Sequence, residues 1–194
     1  RAARSGGRRG RQHAGGRAHR MKVQSFSHVG ITVSDFSRFV QYYWEVFGCP
    51  LVGVSDAPPE RVRAFFGVGA DHPAPACKIG WIRVPGGATL EIFGFEPKLP
   101  PEQIPWNRVG QTHFSFNVRN VHRWHDHLKA KGVEIVSQPE QSPRGHWFFF
   151  VRDFDGNLIE LIDLRHMYHV LGWLGPLGGW LFRRGMYKHY YGAR

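Results

Sequence analysis

Cysteine is almost absent from this chain, with only Cys49 and Cys77 present. Two isolated thiols form neither a disulfide framework nor a C-x-x-C pair, and a reducing cytoplasm is the expected compartment. Acidic residues are missing from residues 1–20, where Arg1, Arg4, Arg8, Arg9, Arg11, Arg17 and Arg20 supply seven of the eleven net positive charges. The basic excess therefore belongs largely to this segment and not to a folded face. The same residues lack aromatics and any hydrophobic period, so they bury too little apolar area to offset the entropy of ordering. Residues 1–20 are expected to be a disordered leader, translated upstream of a globular pattern that begins at Met21. A nucleic-acid-binding arm is set aside because no aromatic residue is interleaved with the arginines. The leader has no apolar core, which excludes a secretory signal. Long hydrophobic runs are also lacking. The best stretch, residues 167–182, is broken by Gly172, Gly175, Pro176, Gly178 and Gly179, so no membrane span is expected.

What is present is enough for one good core: 194 residues, 42% hydrophobic and 14% aromatic. An internal repeat organises it. FSHVGITVSDFSRFVQYYWEVFG at residues 26–48 aligns with QTHFSFNVRNVHRWHDHLKAKGV at 111–133 when His28 is set on His113. Val33 then meets Val118, Asp35 meets Asn120, and Phe39 meets Trp124. Each segment alternates apolar with small or polar residues, as a half-buried strand does. Each then offers an Asx helix start and helically spaced apolar residues (Phe36, Phe39, Val40, Tyr43 and Phe47; Val121, Trp124 and Leu128), and ends at Gly48 or Gly132.

Three strands are expected after each helix. In the first module they fall at 51–55, 78–84 and 88–95, with Pro85-Gly86-Gly87 as the turn. In the second they fall at 134–138, 147–153 and 158–163, with Asp155-Gly156-Asn157 as the turn. The first module also carries an insertion at 56–76 that includes a short helix at 59–66. The fold class is α+β, two βαβββ modules forming curved mixed sheets around a cup. The divisions are a leader (1–20), a domain at 21–164 (module one 21–96, linker 97–109, module two 110–164), and a tail at 165–194. The tail is expected to pack on the domain or on a dimer partner.

Four residues stand at repeat-related positions. His28 and His113 open the first strand of each module, and Glu91 and Glu160 lie in the last. Thr89, Glu91 and Phe93 share one strand face, as do Leu158, Glu160 and Ile162. A carboxylate in mid-strand among apolar neighbours is costly unless it is paired. Two histidines and two carboxylates relieve that cost by binding a cation. Imidazole with carboxylate suits zinc, nickel, iron, cobalt or manganese, and a four-ligand set leaves positions open for a reactant.

These residues resemble the vicinal oxygen chelate superfamily, which includes glyoxalases, bleomycin-resistance proteins and extradiol dioxygenases. The resemblance runs from about residue 25 to 164. It is carried by HVGITVSD, GGATLEIF, THFSFNV and, most specifically, FFFVRDFDGNLIELID. It implies paired modules around one divalent metal, which holds a substrate through vicinal oxygens and stabilises an enolate or similar oxyanion. It also implies sites formed within one chain or across a homodimer interface. The ligand pattern carries over as His28, Glu91, His113 and Glu160. A glutamate at the Glu91 position is more similar to glyoxalase I than to the related epimerases.

The expected function is a metal-dependent lyase or isomerase acting on a small molecule, with Glu160 as general base and Glu91 as the alternative. A non-haem iron dioxygenase using His28, His113 and Glu160 is the second reading. A metal-free drug-binding protein is the third. Candidate pocket residues are Trp81, Phe93, Trp106, Arg144 and Phe150. No nucleic acid is expected as a partner. His122, His125 and His127 read as helix-surface residues.

Overall fold

The computed structural model describes residues 23–68, 75–102, 104–165 and 167–191. The leader expected at 1–20 lies outside them. The elements run β1 (His28–Thr32), α1 (Phe36–Phe47), β2 (Leu51–Ala57), α2 (Pro59–Phe66), β3 (Ala76–Arg83) and β4 (Thr89–Glu96). After the linker come β5 (Phe114–Asn117), α3 (Val121–Ala130), β6 (Glu134–Ile135), β7 (Glu140–Gln141), β8 (Trp147–Arg152) and β9 (Leu158–Ile162). Helix α4 (Met167–Arg184) and a 3-10 turn, Lys188–Tyr191, follow.

The local signals behave as the repeat requires. Asp35 caps α1 by accepting from the Arg38 amide at 2.9 Å, and Asn120 caps α3 by accepting from the Arg123 amide at 3.1 Å. Gly48 ends α1 at a φ of 69°, a left-handed conformation that suits glycine.

The sheets share one topology. The first is ordered β1-β4-β3-β2 and the second β5-β9-β8-β6, with β7 also pairing β8. In each, the first and last strands of the module lie side by side in parallel and the remaining pairings are antiparallel. The second sheet therefore has five strands where four were expected. The segment 134–141 is interrupted by Pro139, which cannot donate to a ladder, and splits into two short strands.

One core joins the modules. Phe39, Tyr43, Ile82, Leu90 and Ile92 of the first pack in one buried cluster with Leu128, Phe149, Val151, Ile159 and Leu161 of the second. Helix α1 lies against the β3–β4 face, where glycine makes room for it. A Cβ on Gly80 would stand 2.6 Å from Phe36 Cζ, so the ring sits almost on the strand backbone.

The Asp155-Gly156-Asn157 turn ties the modules together. Ser34 donates to Asp155 from its amide, at 3.0 Å, and from its hydroxyl. Asp153 is the one charged residue in the buried core of the described residues. It accepts from the Tyr43 hydroxyl at 2.9 Å, from the Asp155 and Asn157 amides, and from the Asn157 side chain. Burial pushes its carboxyl pKa up, and these hydrogen bonds pull it back. Asp153→Ala strands the buried Tyr43 hydroxyl. It should cost about 2–4 kcal/mol, read as a lower denaturant midpoint at unchanged slope.

The tail differs from expectation. Four glycines and a proline read as a broken segment, yet residues 167–184 are one helix with Pro176 inside it. None of its residues is buried. Its main packing is against the 3-10 turn that follows, not against either sheet.

Candidate metal centre

Each sheet has a face covered by its helix and an open face. On β4, Leu90 and Ile92 point into the core, which leaves Thr89, Glu91 and Phe93 on the open side. Glu91 is in register with Gly30 on β1 and with Trp81 on β3. Glu160 is in register with Ser115 on β5 and with Phe150 on β8. Each histidine lies two residues before the small partner of its glutamate, so both modules build the same arrangement: a carboxylate flanked by a small residue and an aromatic ring, with an imidazole reaching across. A Cβ on Gly30 would stand 3.2 Å from Phe93 Cε2, so the Phe93 ring lies close over that glycine beside Glu91.

The result is two His–Glu pairs. His28 Nε2 is 3.2 Å from Glu91 Oε2, and His113 Nε2 is 3.7 Å from Glu160 Oε2. The other ring nitrogen is engaged in the same way in both. Ser27 Oγ is 3.1 Å from His28 Nδ1, and Thr112 Oγ1 is 2.9 Å from His113 Nδ1. A hydroxyl can donate or accept, so it serves either tautomer and keeps Nε2 aimed at the carboxylate. These hydroxyls escaped the sequence reading. The repeat signals them, because both histidines follow a Ser or Thr in the aligned segments.

The two carboxylates differ in one respect. Trp81 donates its indole N–H to Glu91 Oε1 at 3.0 Å. Phe150 occupies the matching place beside Glu160 and has no donor. Glu91 and Glu160 are 19% and 18% exposed, shielded but reachable. Trp81 was expected as a pocket wall. The structure makes it the residue that holds Glu91.

The open faces are lined with aromatics. Phe93 stacks on Phe95 and meets Phe66 of α2 edge-on at 5.5 Å, so the insertion in module one forms a wall beside Glu91. Trp106 of the linker packs against His113 at 5.1 Å and Phe150 at 5.2 Å, forming an aromatic rim around the second pair. Arg144 is exposed in the turn closed by Gly145 N–H to Ser142 O, with no hydrogen bond or ion pair among the described residues. His127 is exposed on α3, as expected, and its Nε2 also lies 3.2 Å from the Val46 carbonyl, a contact between the modules.

The two pairs remain apart within one chain. Among the described residues no three His, Cys, Asp or Glu side chains converge as a metal-ligand group. A cleft of about 250 Å³ between β1 and the start of β5 reaches His113 but none of the other three candidates.

The profile of the Glyoxalase/Bleomycin resistance protein/Dioxygenase superfamily matches residues 25–161. A 2-epi-5-epi-valiolone epimerase from Actinomyces sp is 29% identical over 146 residues, covering 71% of this chain and 78% of that protein. A lactoylglutathione lyase from Arabidopsis thaliana is 28% identical over 140 residues, covering 71% of this chain but only 44% of the plant protein. This chain thus spans less than half the length of the plant lyase. Among solved structures, a glyoxalase family protein from Bacillus cereus superposes with a TM-score of 0.64 at 21% identity, covering 75% of this chain and 97% of that one. A glyoxalase I variant from Zea mays superposes with a TM-score of 0.55 at 21% identity, covering 71% of this chain and 44% of that one. The sequence match spans both His–Glu pairs and the solved structures share the fold, so the chain belongs to the Glyoxalase/Bleomycin resistance protein/Dioxygenase superfamily.

Proposed function

We propose that the protein is a metal-dependent lyase or isomerase that moves a proton on a carbon next to a carbonyl. The observation that carries this reading is the pair of His–Glu sites in matching register, one whose carboxylate also accepts from an indole and one whose carboxylate faces its histidine without that donor. Each pair offers one imidazole nitrogen and one carboxylate oxygen on the same side of its sheet. Two pairs make an N₂O₂ set that fits a borderline divalent ion such as zinc, nickel, cobalt, manganese or iron. Since one chain keeps its pairs apart, the full set is formed by His28 and Glu91 of one protomer with His113 and Glu160 of a second, in a homodimer with two such sites.

The chain's residues then divide the work. His28, His113 and Glu91 would hold the ion, oriented by Ser27, Thr112 and Trp81. When bound, such an ion would supply Lewis-acid polarisation of a substrate carbonyl. Glu160 has no indole to restrain it. It takes the proton from carbon and returns it to the neighbouring or inverted position. Epimerisation beside a carbonyl and glyoxalase-type isomerisation both begin with that proton transfer, so the names of both curated relatives suit one base. Trp106, Phe150 and Phe93 exclude water from the developing charge and seat the apolar part of the substrate. The two unpaired, buried thiols, both pushed above their ordinary pKa by burial, suit a reducing cytoplasm.

The reading is tested by elemental analysis of protein purified without tag or chelator. About one zinc, nickel, cobalt or manganese per chain is expected, with activity lost on chelation and restored on refilling. One iron per chain with oxygen uptake on catechols would replace this reading with the dioxygenase. Protein that takes up no metal on soaking would leave a binding protein.

A further inference from the structure

We propose that α4 and the 3-10 turn after it form an in-plane anchor for an anionic phospholipid surface. Helix α4 places Met167, Val170, Leu171, Leu174, Leu177 and Leu181 along one stripe at helical spacing, with Trp173 and Trp180 beside it. Beyond Met167 the stripe is exposed, Leu177 by 59%, and Trp173 beside it is 86% exposed. Such apolar exposure on a separate helix marks a docking surface.

The chemistry around the stripe selects the occupant. No Asp or Glu follows Asp163, while Arg183, Arg184 and Lys188 gather at the helix end. Arg184 lies over the Trp180 ring at 4.5 Å, and Tyr187, Tyr190 and Tyr191 cluster just beyond. Indole and phenol rings suit the headgroup boundary, where one end is apolar and the other wet, and cations there meet lipid phosphate. A second copy docked through the same stripe is a poorer match, because the acid-free stretch after Asp163 would bring no carboxylate to Arg183, Arg184 and Lys188. Lying in the surface, not crossing it, follows from length and composition. The helix has 18 residues, four of them glycine, and no helix among the described residues is long and apolar enough to cross a membrane.

The test is vesicle flotation of the full chain, independent of any metal or turnover. Vesicles of phosphatidylcholine with about one-third phosphatidylglycerol are compared with phosphatidylcholine alone. The parent should float with the anionic vesicles, less so as salt rises. Trp173→Gln with Leu177→Gln removes apolar surface without changing charge and should weaken flotation by about tenfold or more. Arg183→Gln with Arg184→Gln should weaken it several-fold and flatten the salt dependence. None of these residues is buried, so the fold persists, and the arginines of residues 1–20 stay in every variant. The proposal is overturned if the Trp173/Leu177 variant floats like the parent, since binding then belongs elsewhere in the chain, such as the arginines of residues 1–20. It is also overturned if the parent fails to float, including the case where the same variant halves the particle mass because a second copy covers the stripe.

Discussion

Glu160→Gln is expected to lower kcat by roughly 10²–10⁴-fold, the range a positioned general base supplies, while each chain keeps its metal. The amide preserves shape and one oxygen donor but cannot accept a proton. Glu91→Gln should behave differently. Glu91 is held by Trp81 at 3.0 Å and faces His28 at 3.2 Å, which suits a ligand more than a moving base. Its replacement should loosen the metal, so that most of the lost rate returns when excess ion is supplied. The measurement is kcat beside metal content for both variants, on a 2-oxoaldehyde–thiol adduct or cyclic ketone that the parent turns over. Full turnover in Glu160→Gln would remove it as the base. Full metal with low kcat in Glu91→Gln would exchange the two roles.

The duplicated plan was legible because both copies keep the same punctuation. An Asx residue caps each first helix, a glycine ends the segment, and a His opens and a Glu closes each module. The short helix at 59–66 also agrees with expectation, since Pro59 at its start and Gly67 at its end are the residues such a turn prefers. The parts that escaped depend on what stands across a strand. Trp81 and Phe150 looked alike as aromatic wall residues, and only the register with Glu91 and Glu160 shows that one has a donor to give and the other does not. The tail was read as broken by its glycines and Pro176, which disfavour a helix, yet residues 167–184 form one, and no packing against the sheets accounts for it. The Asp153 network was hidden for another reason. The D-x-D-G turn reads as exposed, yet Tyr43, distant in sequence, covers it.

Mixing two inactive proteins should restore activity, and this outcome bears on how the site is assembled. In His28→Ala/Glu91→Ala the first pair is gone from every chain, and in His113→Ala/Glu160→Ala the second is gone. Each protein alone has no site with more than two ligands, and both should be near background with little bound metal. When the two are unfolded together and refolded in equal amounts, half the dimers contain one chain of each kind. In such a dimer one site combines His28 and Glu91 from one chain with His113 and Glu160 from the other and is whole, while the second site has no ligands. About a quarter of the parental sites, and so about a quarter of the parental activity and metal, should return. If the four residues instead met within one chain, no mixture could rebuild a site and activity would stay at background. That no three His, Cys, Asp or Glu side chains converge among the described residues of one chain favours the first result. It would also explain why two modules with one common core keep their open faces and ligands apart: each face is half of a cup that only a second copy closes.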